Sequence, residues 1–216
     1  MTHFEIELEK LRKRIIDMGS LVEKQVSDAI TALSNGDTEL AKKIIEDDTR
    51  VDLIDVKIDK LCQRIFALAQ PVASDLRFIM SCLKINTDVE RVGDLAVSIA
   101  KKVEGVSENI SFIKELKIDE LALESQKIFG EAVDSFIFKD ISQSYSIIEK
   151  SKQISDKSDQ ISNEIVNAMI QKSEVIVVAT NLILILRHLK RLADHSTNIA
   201  ESIVFMLEGK IIKHAK

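Results

Sequence analysis

Glu90 and Asp94 stand one helical turn apart, and upstream Asp48, Asp52, Asp55 and Asp59 follow a 4,3,4 spacing. On a helix of about 3.6 residues per turn such spacings place the carboxylates along one face, with i and i+4 roughly 40° apart. Crowded carboxylates repel one another unless they are protonated, paired with bases or bridged by a cation. Oxygen-only donors suit a hard ion, namely magnesium, manganese, calcium or iron, rather than a soft-metal site. The solvated face of an ordinary helix gives the same pattern, with Arg91 supplying a surface pair worth little.

Repetition raises Asp94 above that plainer reading. The segment Val89-Glu90-Arg91-Val92-Gly93-Asp94-Leu95-Ala96-Val97-Ser98-Ile99-Ala100 returns at an offset of 100 as Leu189-Lys190-Arg191-Leu192-Ala193-Asp194-His195-Ser196-Thr197-Asn198-Ile199-Ala200. The second copy is the poorer cation site. Lys190 replaces Glu90, and Ser151 and Ser155 replace Asp48 and Asp52. Asp194, Asn198 and Glu201 still form a 4,3 polar stripe, with His195 beside it either as a ligand or as a partly exposed helix histidine.

The elements that carry these residues are helical. One proline and six glycines leave few chain breakers, and the high hydrophobic and charged content with few aromatics is that of packed helices. Breakers and caps predict six helices of about 30 residues, over 4–34, 37–69, 71–105, 112–138, 140–171 and 173–209. Pro71 suits a first helical turn, Ser173 an N-cap and Gly209 a C-cap. In the second helix Leu40, Ile44, Val51, Ile54, Ile58, Leu61, Ile65 and Leu68 hold a heptad seam, with Asp47 out of place. Ile85, Val89, Val92, Ala96 and Ile99 do the same in the third, and Ile185, Leu189, Leu192, Ser196 and Ile199 in the sixth. The first two helices of each half match at an offset of 103 and the third at 100, which places the length change near Pro71. The expected fold is all-α: two tandem three-helix bundles, residues 1–106 and 112–216, built of six long antiparallel helices on a shared core. The third and sixth helices are its central pair.

A net charge of −5 offers no broad basic surface for nucleic acid. The apolar run 175–186 is about a dozen residues, short of the ~20 a bilayer span needs. The N-terminus lacks the apolar core of a signal peptide, so the chain is expected in the cytoplasm, with Cys62 and Cys82 buried and reduced. No glycine-rich phosphate loop, Glu-x-x-His pair or His-Glu-x-x-His motif is present, and no serine or cysteine has a recognisable catalytic setting.

Gln70-Pro71-Val72-Ala73-Ser74-Asp75-Leu76-Arg77, then Leu83-Lys84-Ile85, then Asp88 through Ala96, together with Arg191 through Glu201, resemble the PhoU family of phosphate-signalling regulators. The resemblance covers nearly the whole chain. It implies a non-enzymatic regulator of phosphate uptake and phosphate-starvation signalling, repressing the response when phosphate is plentiful. It implies contacts with the ATP-binding subunit of a phosphate ABC transporter and with a sensor histidine kinase, and a homodimer. It also implies iron or zinc on the acidic faces, with Glu90 and Asp94 carrying the first motif, Asp194 the second, and Asp48 the second-helix acid. Two other readings stay open: a metal-binding helical protein or metal-dependent enzyme, and a purely structural bundle.

Overall fold

The chain starts its first helix with a reciprocal cap. Thr2 accepts from the Glu5 backbone N–H, and the Glu5 carboxylate takes the Thr2 N–H. A computed structural model describes residues 2–212. Helix α1 (His3–Asn35) ends on Gly36, whose φ of 67° is left-handed. Asp37 then caps α2 (Thr38–Glu46) by accepting from Leu40 N.

The predicted helix over 37–69 is two helices. It breaks after Glu46 and resumes as α3 (Thr49–Ala69). The break falls where Asp47 left the apolar register. Two short acidic side chains in a row favour turn geometry and bring nothing to the seam. Gln70 turns the chain with φ 42°, and α4 (Ala73–Val103) follows. Pro71 thus lies in the turn rather than in the first turn of the helix. A 3₁₀ turn at Ser107–Asn109 leads into the short α5 (Ile110–Glu115), and Lys117 with φ 54° separates it from α6 (Ile118–Phe138). The helix expected from 112 to 138 is therefore interrupted. Asp140 caps α7 (Ile141–Gln171) by accepting from Gln143 N. Ser173 opens a 3₁₀ turn rather than capping a helix directly, and α8 (Ile176–Glu208) closes on Gly209, φ 71°.

Helices α4 and α8 form the central pair; α1 and α3 pack on α4, while α6 and α7 pack on α8. The result is the expected pair of three-helix bundles around one continuous core. Ile85, Val89, Val92, Ala96 and Ile99 are all buried, and so are Ile185, Leu189, Leu192, Ser196 and Ile199. Full burial of each Ile or Leu is worth about 1.5–3 kcal/mol. Across the halves α1 meets α6 closely, since a Cβ on Gly19 would lie 3.1 Å from Val133 Cγ1. The central helices emerge at one end: Leu76, Met80, Ile176 and Val177 are exposed rather than enclosed. Cys62 and Cys82 are free and buried. Burial pushes the Cys62 thiol up to about 12 and that of Cys82 well up, which keeps both protonated and poorly nucleophilic.

Candidate functional site: an acidic seam and its counterpart

The carboxylates of α3 and α4 face one another across the groove between these helices. Glu90 and Asp94 come from the outer side of α4; Asp52, Asp55 and Asp59 come from α3, and Asp48 from the break that precedes it. Burial, then the charges of Asp52 and Asp94, push the Asp48 carboxyl above its ordinary value, while Gln25 and Lys101 pull it down. Glu90 is raised by burial and then Asp94, with Asp55 and Asp52 adding to it against the pull of Arg91. Asp55 is raised by burial, Asp59 and Asp52. The two acidic lines thus lie close enough to repel, as the shared-groove geometry requires. Arg91 offsets part of this charge, 3.0 Å from Asp94 and 3.4 Å from Glu90. Asn86, fully buried on α4, donates to Asp55 Oδ1 at 2.7 Å and Asp59 Oδ1 at 3.2 Å.

The repeat-equivalent surface on α7 and α8 is a shallow groove lined by Ser151, Ser155, Asp156, Asp194, Asn198 and Glu201, among others. The Asp194 carboxyl is pushed up by burial, and Lys190, His195 and Arg191 draw it back. Lys190, standing where Glu90 stands in the first half, reaches 2.9 Å to Asp159 of α7. The first half answers its acids mainly with further acids, whereas the second answers its acids with cations and hydroxyls. Among the described residues no three His, Cys, Asp or Glu side chains stand close enough together to hold a metal ion.

One arrangement escaped the sequence reading. Asp88 of α4 accepts from Asn198 of α8 at 3.0 Å and lies 2.8 Å from His195 Nδ1. The pair is largely enclosed, with side chains 15% and 18% exposed. His195 and Asn198, read as members of a polar stripe within the second half, therefore engage an acid of the first half. The only signal was Asp88 beside Glu90, and its partner lies more than 100 residues away. The repeat-equivalents of Asp88 and His195 are His188 and Leu95, which make no such pair. His188 Nδ1 is buried without a hydrogen-bond partner, and burial, then Arg191, Lys102 and Arg187, push its pKa down.

The PhoU domain profile matches residues 15–103 and again 118–203, the two helical repeats that carry these surfaces. The chain belongs to the PhoU family. It is 35% identical over 212 residues to the phosphate-specific transport system accessory protein PhoU homolog of Pseudomonas aeruginosa, spanning 98% of this chain and 88% of that one. Against the Escherichia coli K12 accessory protein PhoU the identity is 32%, with the same coverage. The crystal structure of PhoU from Pseudomonas aeruginosa superposes with a TM-score of 0.89 at 34% identity, over 96% of this chain and 100% of that one. The PhoU regulatory protein of Streptococcus pneumoniae gives 0.89 at 32%, over 97% and 99%. The PhoU likeness thus spans both halves, including the half whose acidic motif is altered. Among the described residues, no helix of this PhoU-family chain is long and apolar enough to cross a membrane.

Proposed function

We propose that this chain is a non-enzymatic accessory protein of a phosphate-specific transport system, acting in the cytoplasm. It represses uptake and starvation signalling when phosphate is plentiful. The observation that carries this reading is the end-to-end likeness to PhoU accessory proteins, in both sequence and fold. Its partners are the ATP-binding subunit of the transporter and a sensor histidine kinase, and its working form is a homodimer of chains each built of the repeats 1–106 and 112–216. It acts by differential binding: a regulator shifts a transporter or kinase only as far as it binds one conformation better than the other. Deleting the gene is expected to raise phosphate uptake and starvation outputs in phosphate-rich medium. Unchanged uptake and outputs in the deletion would sink the reading.

The acidic seam bears on a bound metal. Its donors are all oxygen, and burial first and then mutual repulsion raise Asp48, Asp55 and Glu90, so a hard divalent cation would relieve the first half. Glu90, Asp94 and Asp48 would have to draw together to hold it, because among the described residues no three such side chains stand within reach of one ion; bound there, it would neutralise the seam and tie α3 to α4. The second half fits less well: Lys190 occupies the leading acid position and Ser151 the Asp48 position, leaving Asp194, Asn198 and Glu201. Titration with manganese or iron, read by calorimetry, is expected to lose more affinity in Asp94→Ala than in Asp194→Ala. Equal losses would contradict the asymmetry.

A further inference from the structure

We propose that a cleft at one end of the molecule, sharing no lining residue with the acidic seam, binds a phosphate group. The cleft, of about 350 Å³, is lined by Arg12 of α1, Ser74 and Arg77 of the first turns of α4, Lys139 at the end of α6, and the apolar Phe78 and Met206, with Glu9 and Asp75 also on its walls. Three cations from three separate elements thus converge against two acids.

Several of the molecule's other cations are paired. Lys13 binds Asp17, Lys24 binds Asp28, Lys150 binds Glu131 and Lys157 binds Glu124, all at hydrogen-bonding distance. Among the described residues the side chains of Arg12, Arg77 and Lys139 make no ion pair, and Arg77 Nε is buried with no hydrogen-bond partner at all. A buried unsatisfied donor is costly unless something completes it. Arg12 is fixed in place by aromatic faces, its guanidinium 6.0 Å from the ring centroids of both Phe78 and Phe136. Arg77 lies along Gly209: its Cδ and Nε are 3.7 Å from where a Cβ on that residue would stand. Both guanidiniums are therefore positioned by packing while their donors stay available, and a planar fork matches a tetrahedral oxyanion with two parallel hydrogen bonds. Ser74 adds a hydroxyl, and the first turn of the long helix α4 adds unpaired backbone N–H groups and a favourable dipole.

The fold does not require this arrangement. At the repeat offset of 100, Arg77 corresponds to Val177 and Ser74 to Glu174, so the second half carries neither the guanidinium nor the hydroxyl at these places. The volume sits at the low end for small-molecule sites, which are about 300–1,000 Å³, so it accepts free inorganic phosphate or the phosphate of a small monoester. The choice of phosphate among oxyanions rests on the phosphate-transport reading above.

The test is calorimetric titration of the full chain at low ionic strength with inorganic phosphate, sulfate and adenosine monophosphate, on the wild type, Arg77→Gln and Lys139→Asn. Asn tolerates the left-handed backbone at 139, where φ is 55°, and thermal melts confirm that each variant is folded. Saturable binding of phosphate is expected, about tenfold weaker in Arg77→Gln and less affected in Lys139→Asn. Binding of the monophosphate alone, lost in Arg77→Gln, would keep the site and name a phosphorylated metabolite as its source. Binding by neither ligand, binding indifferent to Arg77, or sulfate binding as tightly as phosphate would overturn the proposal. The deletion phenotype is read independently: derepression with no binding removes the cleft alone, and Arg77-dependent binding with no phenotype removes the accessory role alone.

Discussion

The groove between α3 and α4 and its counterpart between α7 and α8 rest on matching apolar seams yet carry different charge. In the first, Glu90 and Asp94 face Asp48, Asp52 and Asp55, and burial, with the crowded charges adding to it, lifts three of these carboxyls. In the second, Lys190 pairs with Asp159, Ser151 is buried, and Asp194 is raised by burial and drawn back by Lys190, His195 and Arg191. The difference shows that packing and polar chemistry are set separately. Ile99 and Ile199 must both fill a close-packed interior, where a lost methylene is felt. The outward positions meet no such demand, so Glu90 and Lys190 can each occupy the same place on the same scaffold.

That comparison can be broken first at the seam. Ile99 and Ile199 are 0% and 1% exposed, so Ile99→Ala and Ile199→Ala are each expected to cost about 2–5 kcal/mol. Urea unfolding checks this, and a loss in only one half would show that the halves are not packed alike. Next comes a polar tie between the halves, at Asp88. His195→Leu, which copies Leu95 at the equivalent place, leaves Asp88 with Asn198 alone and is expected to cost about 1–3 kcal/mol. The matching change Leu95→His supplies no tie, because its counterpart is His188 rather than an acid.

A smaller effect lies in the acidic seam and has a definite sign with pH. Glu90 is raised in the folded chain, so just above its ordinary pKa the folded state holds more proton than the unfolded one. Stability from this group then falls as pH rises through that window and returns on acidification. Glu90→Gln is expected to be the more stable protein at pH 7, with the gap closing as pH falls toward the ordinary carboxylate range; urea midpoints across that interval check it. A gap that widens on acidification would mean that Arg91 outweighs the acids. The smallest effect is expected at the opposite member of the comparison. Lys190→Ala breaks a solvated pair with Asp159 and is expected to change unfolding free energy by about 0–1 kcal/mol.

Much of this was legible in the chain itself. The seam positions of α4 and α8 follow from apolar spacing, because a helix that buries one stripe must repeat it every turn. The facing of α3 acids toward α4 acids follows from packing those stripes together. Asp47 even marked its own helix break by leaving the register. Other features carried no such local mark. Pro71 and Ser173 mark expected helix starts, yet α4 and α8 begin two and three residues later. Lys117 takes a left-handed conformation that nothing about a lysine announces.

The sequence by itself determined the helices, their duplication and the buried stripes, since all three depend on spacings within a few turns of one helix. The tertiary structure alone decided which polar groups meet. Asp88 finds His195 and Asn198 across the central pair, and Arg12, Arg77 and Lys139 gather from three separate elements around one cleft. Such encounters depend on how whole helices are set against one another, and that setting is fixed by the summed packing of the core rather than by any residue near the site.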